Sequence, residues 1–238
     1  MKFFFKIILL SLPILISCSS KTEIDISNQA IDKHAAKMRI RPREEKLDGD
    51  SGMLAGTHGR GELGGLLELE SPWCDPFRKM LVHPKIVPYL NEILGKGFRM
   101  DHQMFLISMD KGAEGFIFHG SSGPGFDPNQ YYIFQNGKMH CGLTVVTFQL
   151  GDVNPGDGGL IVIPGSHKSN FSCPIQIKKH EKHQEHVHQI VCKAGSVVIF
   201  TEAVTHGTLP WTADHPRRSI LTRYTAGNLA YVPAYAIP

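Results

Sequence analysis

Two hydrophobic periods divide this chain. Between positions 71 and 97 the apolar residues recur at helical spacing: Ile86, Val87, Leu90, Ile93 and Leu94 share one face, and Gly95 and Gly97 end the run. Such an amphipathic helix buries its stripe against the outside of a sheet. From Phe98 onward the pattern changes to short β-branched runs punctuated by Gly, Pro and Asn, at 103–109, 115–119, 143–150, 160–163, 196–200 and 219–224. Strands therefore dominate the C-terminal two-thirds. The elements predict a mainly β fold, a small barrel with helices from the N-terminal part packed on one sheet and polar groups gathered at its mouth.

The N-terminal fifty residues read differently. Lys2 and Lys6 precede an apolar run from Ile7 to Ile16, broken by Pro13, and Ser17-Cys18-Ser19-Ser20 follows. The run is too short to span a bilayer and has the layout of a targeting segment over 1–20. Leu15-Ile16-Ser17-Cys18 resembles a bacterial lipobox, which makes Cys18 the candidate acylation site and implies a membrane-anchored protein outside the cytoplasm. An ordinary signal peptide, or a true start at Met38 or Met53 with a cytoplasmic location, are the alternatives. Residues 21–52 are polar and mixed in charge, as a tether with one short helix would be. The domain proper is then 53–238. Its glycine-rich stretch 56–65 lacks both a P-loop Lys-Ser/Thr and a dinucleotide fingerprint, and is read as a loop and candidate lid.

Composition narrows the function classes. A hydrophobic content of 42% in 238 residues supports one core, and a formal charge of +3 with no basic stripe gives no electrostatic footprint for nucleic acid. A small-molecule substrate is the better expectation. Cys74, Cys141, Cys173 and Cys192 lack CxxC spacing and are read as free thiols, disulfides being the alternative. Of thirteen histidines, His180, His183, His186 and His188 crowd into one polar run, expected to be a solvated loop.

The candidate chemistry lies at strand ends. His119 closes the run 115–119 and His206 closes 197–206, each followed by a glycine that lets the backbone turn sharply or approach closely. Arg217, eleven residues after His206, can grip a carboxylate with its two-pronged guanidinium, and strand alternation puts Arg223 on its side and Arg218 opposite. His167 in the Pro-Gly-Ser-His turn is expected to be structural, and Asp152 and Asp157 to serve turns.

The run Asp157-Gly-Gly-Leu-Ile-Val-Ile-Pro-Gly-Ser-His167-Lys168, with the His206 to Arg217 spacing, resembles the phytanoyl-CoA dioxygenase-like branch of the Fe(II)/2-oxoglutarate-dependent oxygenases. The resemblance covers about 98–227. It implies a double-stranded β-helix (jelly roll, cupin-like), Fe(II) as cofactor and 2-oxoglutarate as cosubstrate. His206 then matches the distal iron ligand, Arg217 the arginine that holds the cosubstrate's far carboxylate, and His119 the first histidine. The activity implied is oxidation, by default hydroxylation, of a small organic substrate, with 2-oxoglutarate converted to succinate and carbon dioxide.

One position departs from that pattern. Where the family has an Asp two residues after its first His, this chain has Ser121. Either another carboxylate, Asp127 or Glu202, completes the two-His, one-carboxylate set, or the position is empty as in the carboxylate-lacking halogenases, or the protein is a non-catalytic jelly-roll binding lipoprotein. A cupin-like zinc protein is a further alternative.

Overall fold

The structure is a computed structural model and describes residues 13–120, 127, 129–169 and 171–229. Its main sheet runs in the order β1 (Ile14–Ser17), β12 (Ser196–Thr201), β9 (Thr144–Gln149), β14 (Arg217–Thr225), β5 (Phe105–Met109), β3 (Gly61–Leu63), β2 (Arg39–Ile40), with β4 (Arg99–Met100) also on β14. A second sheet has the order β11 (His188–Gln189), β10 (Gly159–Val162), β13 (His206–Leu209), β6 (Phe116–His119), and β7 (Tyr132–Gln135) forms a hairpin with β8 (Lys138–Cys141). Every pairing within these sheets is antiparallel. This is the expected mainly β, jelly-roll architecture.

Alternation along the central strands feeds two interiors. Val146, Phe148, Val197, Ile199, Leu106 and Ile220 point outward into a core shared with the helices α1 (Lys21–Lys33), α2 (Asp75–Leu81) and α3 (Val87–Leu94). Their neighbours Val145, Val198 and Phe200 point the other way and meet Val162 of the second sheet, with Ile190 and Val204 from the segments flanking it. A strand buried on both faces loses the polar alternation of a solvated one, which is why these runs read as continuous apolar stretches. The helical stripe behaves as its spacing requires: Ile86, Leu90, Ile93 and Leu94 are all buried, and Gly95 ends α3 at φ +86°.

Two N-terminal expectations are revised. The stretch 21–52 is docked rather than a free tether: α1 carries a capping box between Ser20 and Glu23 and buries Ser27, Ala30 and Ile31. Only a few of its thirteen positions are apolar, too few for the stripe to stand out among the polar ones. Within the glycine-rich 56–65, Gly61–Leu63 is strand β3, pinned between β2 and β5. Gly59 is required there, because a Cβ would lie 1.9 Å from the Arg41 carbonyl oxygen. Of the 1–20 segment, 1–12 lies outside the described residues, while Ile14–Ser17 pairs with Ser196–Ile199. Cys18 is buried, its N–H donating to the Gly195 carbonyl at 2.9 Å. No described helix is long and apolar enough to cross a membrane. Cys18, Cys74, Cys141, Cys173 and Cys192 are all free thiols, which for the last four is the expected state.

Candidate metal centre

The second sheet brings the two candidate histidines face to face. His206 opens β13 rather than closing the preceding strand, and it pairs in register with His119 at the end of β6. Their ring centroids are 4.1 Å apart. Each ring lies close to a backbone carbonyl two residues earlier, His119 Nδ1 to Ile117 at 3.1 Å and His206 Nδ1 to Val204 at 2.7 Å. A carbonyl only accepts, so each Nδ1 carries the proton and each Nε2 keeps its lone pair. Both following glycines are steric necessities. A Cβ on Gly120 would sit 2.5 Å from the Val204 carbonyl oxygen, and one on Gly207 2.8 Å from that of Phe116.

The carboxylate comes from the turn between β12 and β13. Glu202, buried, donates its backbone N–H to the Leu143 carbonyl at 2.8 Å, and its Oε2 lies 3.5 Å from His206 Nε2. Its Oε1 accepts a 2.8 Å hydrogen bond from Arg223 Nε, so one oxygen is held by a cation and the other faces the histidines. One ligand atom from each of His119, Glu202 and His206 lies within 4.8 Å of the others. Asp127, the other carboxylate candidate, is not in this cluster; it accepts from the Asn129 N–H at 2.8 Å and closes its own turn. Ser121 lies outside the described residues.

Burial sets the charge state of the cluster. It pushes His119 down to about 3, with His206 adding to the shift, and it also lowers His206, so both rings are neutral at pH 7. For Glu202 burial opposes ionisation, but His206 and Arg223 outweigh it and hold the group at about 2. Two neutral imidazoles and a carboxylate are the donor set that divalent transition metals take. Apolar rings wall it in: Phe116 stacks on His119 at 4.5 Å and Phe200 stands edge-on to His206 at 4.8 Å.

Arg217 enters from the facing sheet. It opens β14 and is 4% exposed; its Nε has no hydrogen-bond partner and one terminal nitrogen donates to the Met109 sulfur at 3.3 Å. Burial, aided by nearby Arg60, drops its pKa to about 10. A guanidinium out of water without a counter-ion costs several kcal/mol, so this is a place made for an anion. Gly159 keeps the room open, since a Cβ there would come 3.1 Å from Arg217 Nε. Two residues on, Ser219 Oγ donates to Gln149 Oε1 at 2.6 Å, adding polar groups on the same face of β14.

The remaining candidates fall outside the cluster. Asp152 accepts from the Ala194 N–H and from Lys193, and Asp157 from the Asn154 N–H, as turn residues do. His167 is buried edge-on to Tyr132, and neither ring nitrogen has a hydrogen-bond partner among the described residues. Arg218 points outward to Asn28 and Asp32. Sequence reasoning treated Arg223 only as a competitor to Arg217, although the alternation that put both on one face was the available signal. Ser219 shared that signal. Phe116 and Phe200 carried none that set them apart from core residues.

Residues 34–219 match the phytanoyl-CoA dioxygenase (PhyH) family. No curated protein sequence matches the chain. Among solved structures, HygX from Streptomyces hygroscopicus, crystallised with nickel and 2-oxoglutarate, superposes with a TM-score of 0.74 at 15% identity, over 97% of this chain and 88% of HygX. SnoK, a non-heme alpha-ketoglutarate-dependent carbocyclase from nogalamycin biosynthesis, gives 0.65 at 14% identity over 95% and 84%. AviO1 from Streptomyces viridochromogenes Tue57 gives 0.64 at 14% identity over 94% of each chain. At such identities the structural likeness speaks to the fold, whereas the family match spans most of the chain, which belongs to the phytanoyl-CoA dioxygenase family of non-haem Fe(II)/2-oxoglutarate-dependent oxygenases.

Proposed function

We propose that His119, Glu202 and His206 hold the ferrous ion of this oxygenase and that Arg217 receives the distal carboxylate of 2-oxoglutarate. The carrying observation is a buried guanidinium without a carboxylate partner, its Nε unbonded, on the face of β14 that also carries Arg223, the residue that holds Glu202 of the His–Glu–His cluster. When bound, iron and 2-oxoglutarate supply the oxidation of a substrate C–H bond by molecular oxygen, with succinate and carbon dioxide as coproducts. The protein's own part is placement. The two Nδ1–H groups lock the imidazoles so that Nε2 faces inward, and Arg223 fixes the Glu202 carboxylate. Phe116 and Phe200 keep water from the rings. Arg217 orients the cosubstrate by two-point pairing with its far carboxylate.

Glu202 takes the part that Ser121 leaves open, and this favours hydroxylation over the halogenating variant, which needs a vacant position. The substrate is a small organic molecule. HygX has been crystallised with hygromycin B and SnoN with nogalamycin RO; natural products of that size are the first compounds to try here.

The test is anaerobic titration of the protein with Fe(II) and 2-oxoglutarate, following the visible charge-transfer band of the complex. The band should form in wild type, vanish in His206→Ala and Glu202→Gln, and in Arg217→Leu require 10- to 100-fold more 2-oxoglutarate, the ~1.5–3 kcal/mol of a charged hydrogen bond. A band unchanged in Glu202→Gln would remove Glu202 from the ligand set. Its absence from wild type, with iron shown to be bound, would sink the cosubstrate reading.

A further inference from the structure

The polar histidine run carries a second cluster, separate from the first. His183, Glu185 and His186 sit on one tight 3-10 turn, with His183 at its start in the left-handed region (φ +59°). Glu185 Oε1 lies 3.2 Å from His183 Nδ1 and 3.7 Å from His186 Nε2, between two rings that are nearly parallel at 19° and 6.2 Å apart. One donor atom from each residue falls within 4.8 Å of the others. His180, in the same run, turns instead into the protein beside Phe118 and is buried.

The two carboxylate–imidazole separations match those of a metal's ligand shell. Zinc bonds to nitrogen and oxygen of about 2.1 Å, set at tetrahedral angles, put neighbouring donor atoms about 3.4 Å apart. The two Glu–His spacings, 3.2 and 3.7 Å, bracket that value. All three ligands come from four consecutive residues, so closing the chelate orders little extra chain. The side chains are more than half exposed, which leaves room for water to fill the remaining coordination position.

We propose that His183, Glu185 and His186 form a surface site for a late first-row divalent cation such as Zn²⁺, distinct from the interior centre. Imidazole and carboxylate together select such ions over Mg²⁺ or Ca²⁺, which take oxygen. The site fixes the turn that leads into β11, whose Gln189 in turn bonds the 154–158 loop through Asn154, Gly156 and Gly158.

The experiment is calorimetric titration of the metal-free full chain with Zn²⁺ alone. In wild type one equivalent is to be lost in the His183→Ala, His186→Ala double variant and retained in His206→Ala. Glu185→Gln should weaken that equivalent by more than the ~10–100-fold that losing an outer-shell partner costs. Because the three residues are exposed, the double variant is expected to keep the wild-type circular dichroism spectrum and its Fe(II)/2-oxoglutarate band. Co²⁺ provides a second readout: a four-coordinate visible spectrum in His206→Ala that disappears when His183 and His186 are also replaced. Zinc titrations of wild type and the double variant that superimpose would overturn the proposal, as would a Co²⁺ spectrum indifferent to His183 and His186.

Discussion

Single side chains in this protein are defined by the partners they have and lack. Arg223 acts on the centre through Glu202, so Arg223→Gln should lower iron affinity by about 10–100-fold, as loss of an outer-shell hydrogen bond does, with the 2-oxoglutarate requirement unchanged once iron is saturating. Equilibrium dialysis against iron reads the first effect and the charge-transfer band the second. His167 gives a pH prediction. Burial lowers its pKa from 6.5 to about 4, so the unfolded chain takes up this proton before the folded one does. Stability from this group is whole above pH 6.5 and is lost progressively as pH falls toward 4. In His167→Phe, which keeps a ring against Tyr132, the urea midpoint of the metal-free protein should fall less between pH 6.5 and 4 than in wild type. Equal slopes would show that His167 does not contribute to acid lability.

At the scale of elements, the centre depends on how closely β6 approaches the 202–205 turn. Gly120, at φ +116° and with the Val204 and Glu202 carbonyls in the way of any Cβ, permits that approach. Gly120→Ala should therefore cost at least about 1–3 kcal/mol of stability, measured by urea denaturation, and should weaken iron binding by moving His119 away from Glu202. Gly95→Ala is the control. It too has positive φ but open space around it, and it caps α3 rather than touching the centre, so it should lose stability without loss of iron affinity. The helices and central strands were legible in the sequence because their faces are strongly apolar: Leu90, Ile93 and Leu94 on one, Val145 to Phe148 on the other. The hairpin of β7 and β8 was not, because its positions are largely polar or exposed. The strands β1 to β3 were hidden for another reason, since they are short and are held by pairing to partners far along the chain.

For the whole molecule, the open question of the N-terminus becomes an experiment on stability. Ile14–Ser17 covers the edge of β12, and Ile14 and Ile16 pack on the core shared with the helices. Cleavage before Cys18, as a lipobox would direct, removes that strand and bares the β12 edge to other chains. A chain beginning at Cys18 should melt at lower temperature and aggregate more readily than full length, and light scattering during thermal unfolding checks both. A truncated chain as stable and monodisperse as full length would make loss of β1 compatible with the folded domain, and cell fractionation would then decide between an anchored and a cytoplasmic protein. By itself the sequence pointed to a mainly β barrel and, through the resemblance that the 157–168 motif carries, to a jelly roll with His119, His206 and Arg217 as candidates, because strand period, glycine spacing and that motif are local properties of the chain. Only the tertiary structure decided that Glu202 rather than Asp127 joins His119 and His206. That choice depends on a turn between two strands of different sheets, eighty-three residues from His119, and on Arg223 holding the carboxylate in place. Proximity of that kind is created by sheet pairing, and no periodicity along the chain records it.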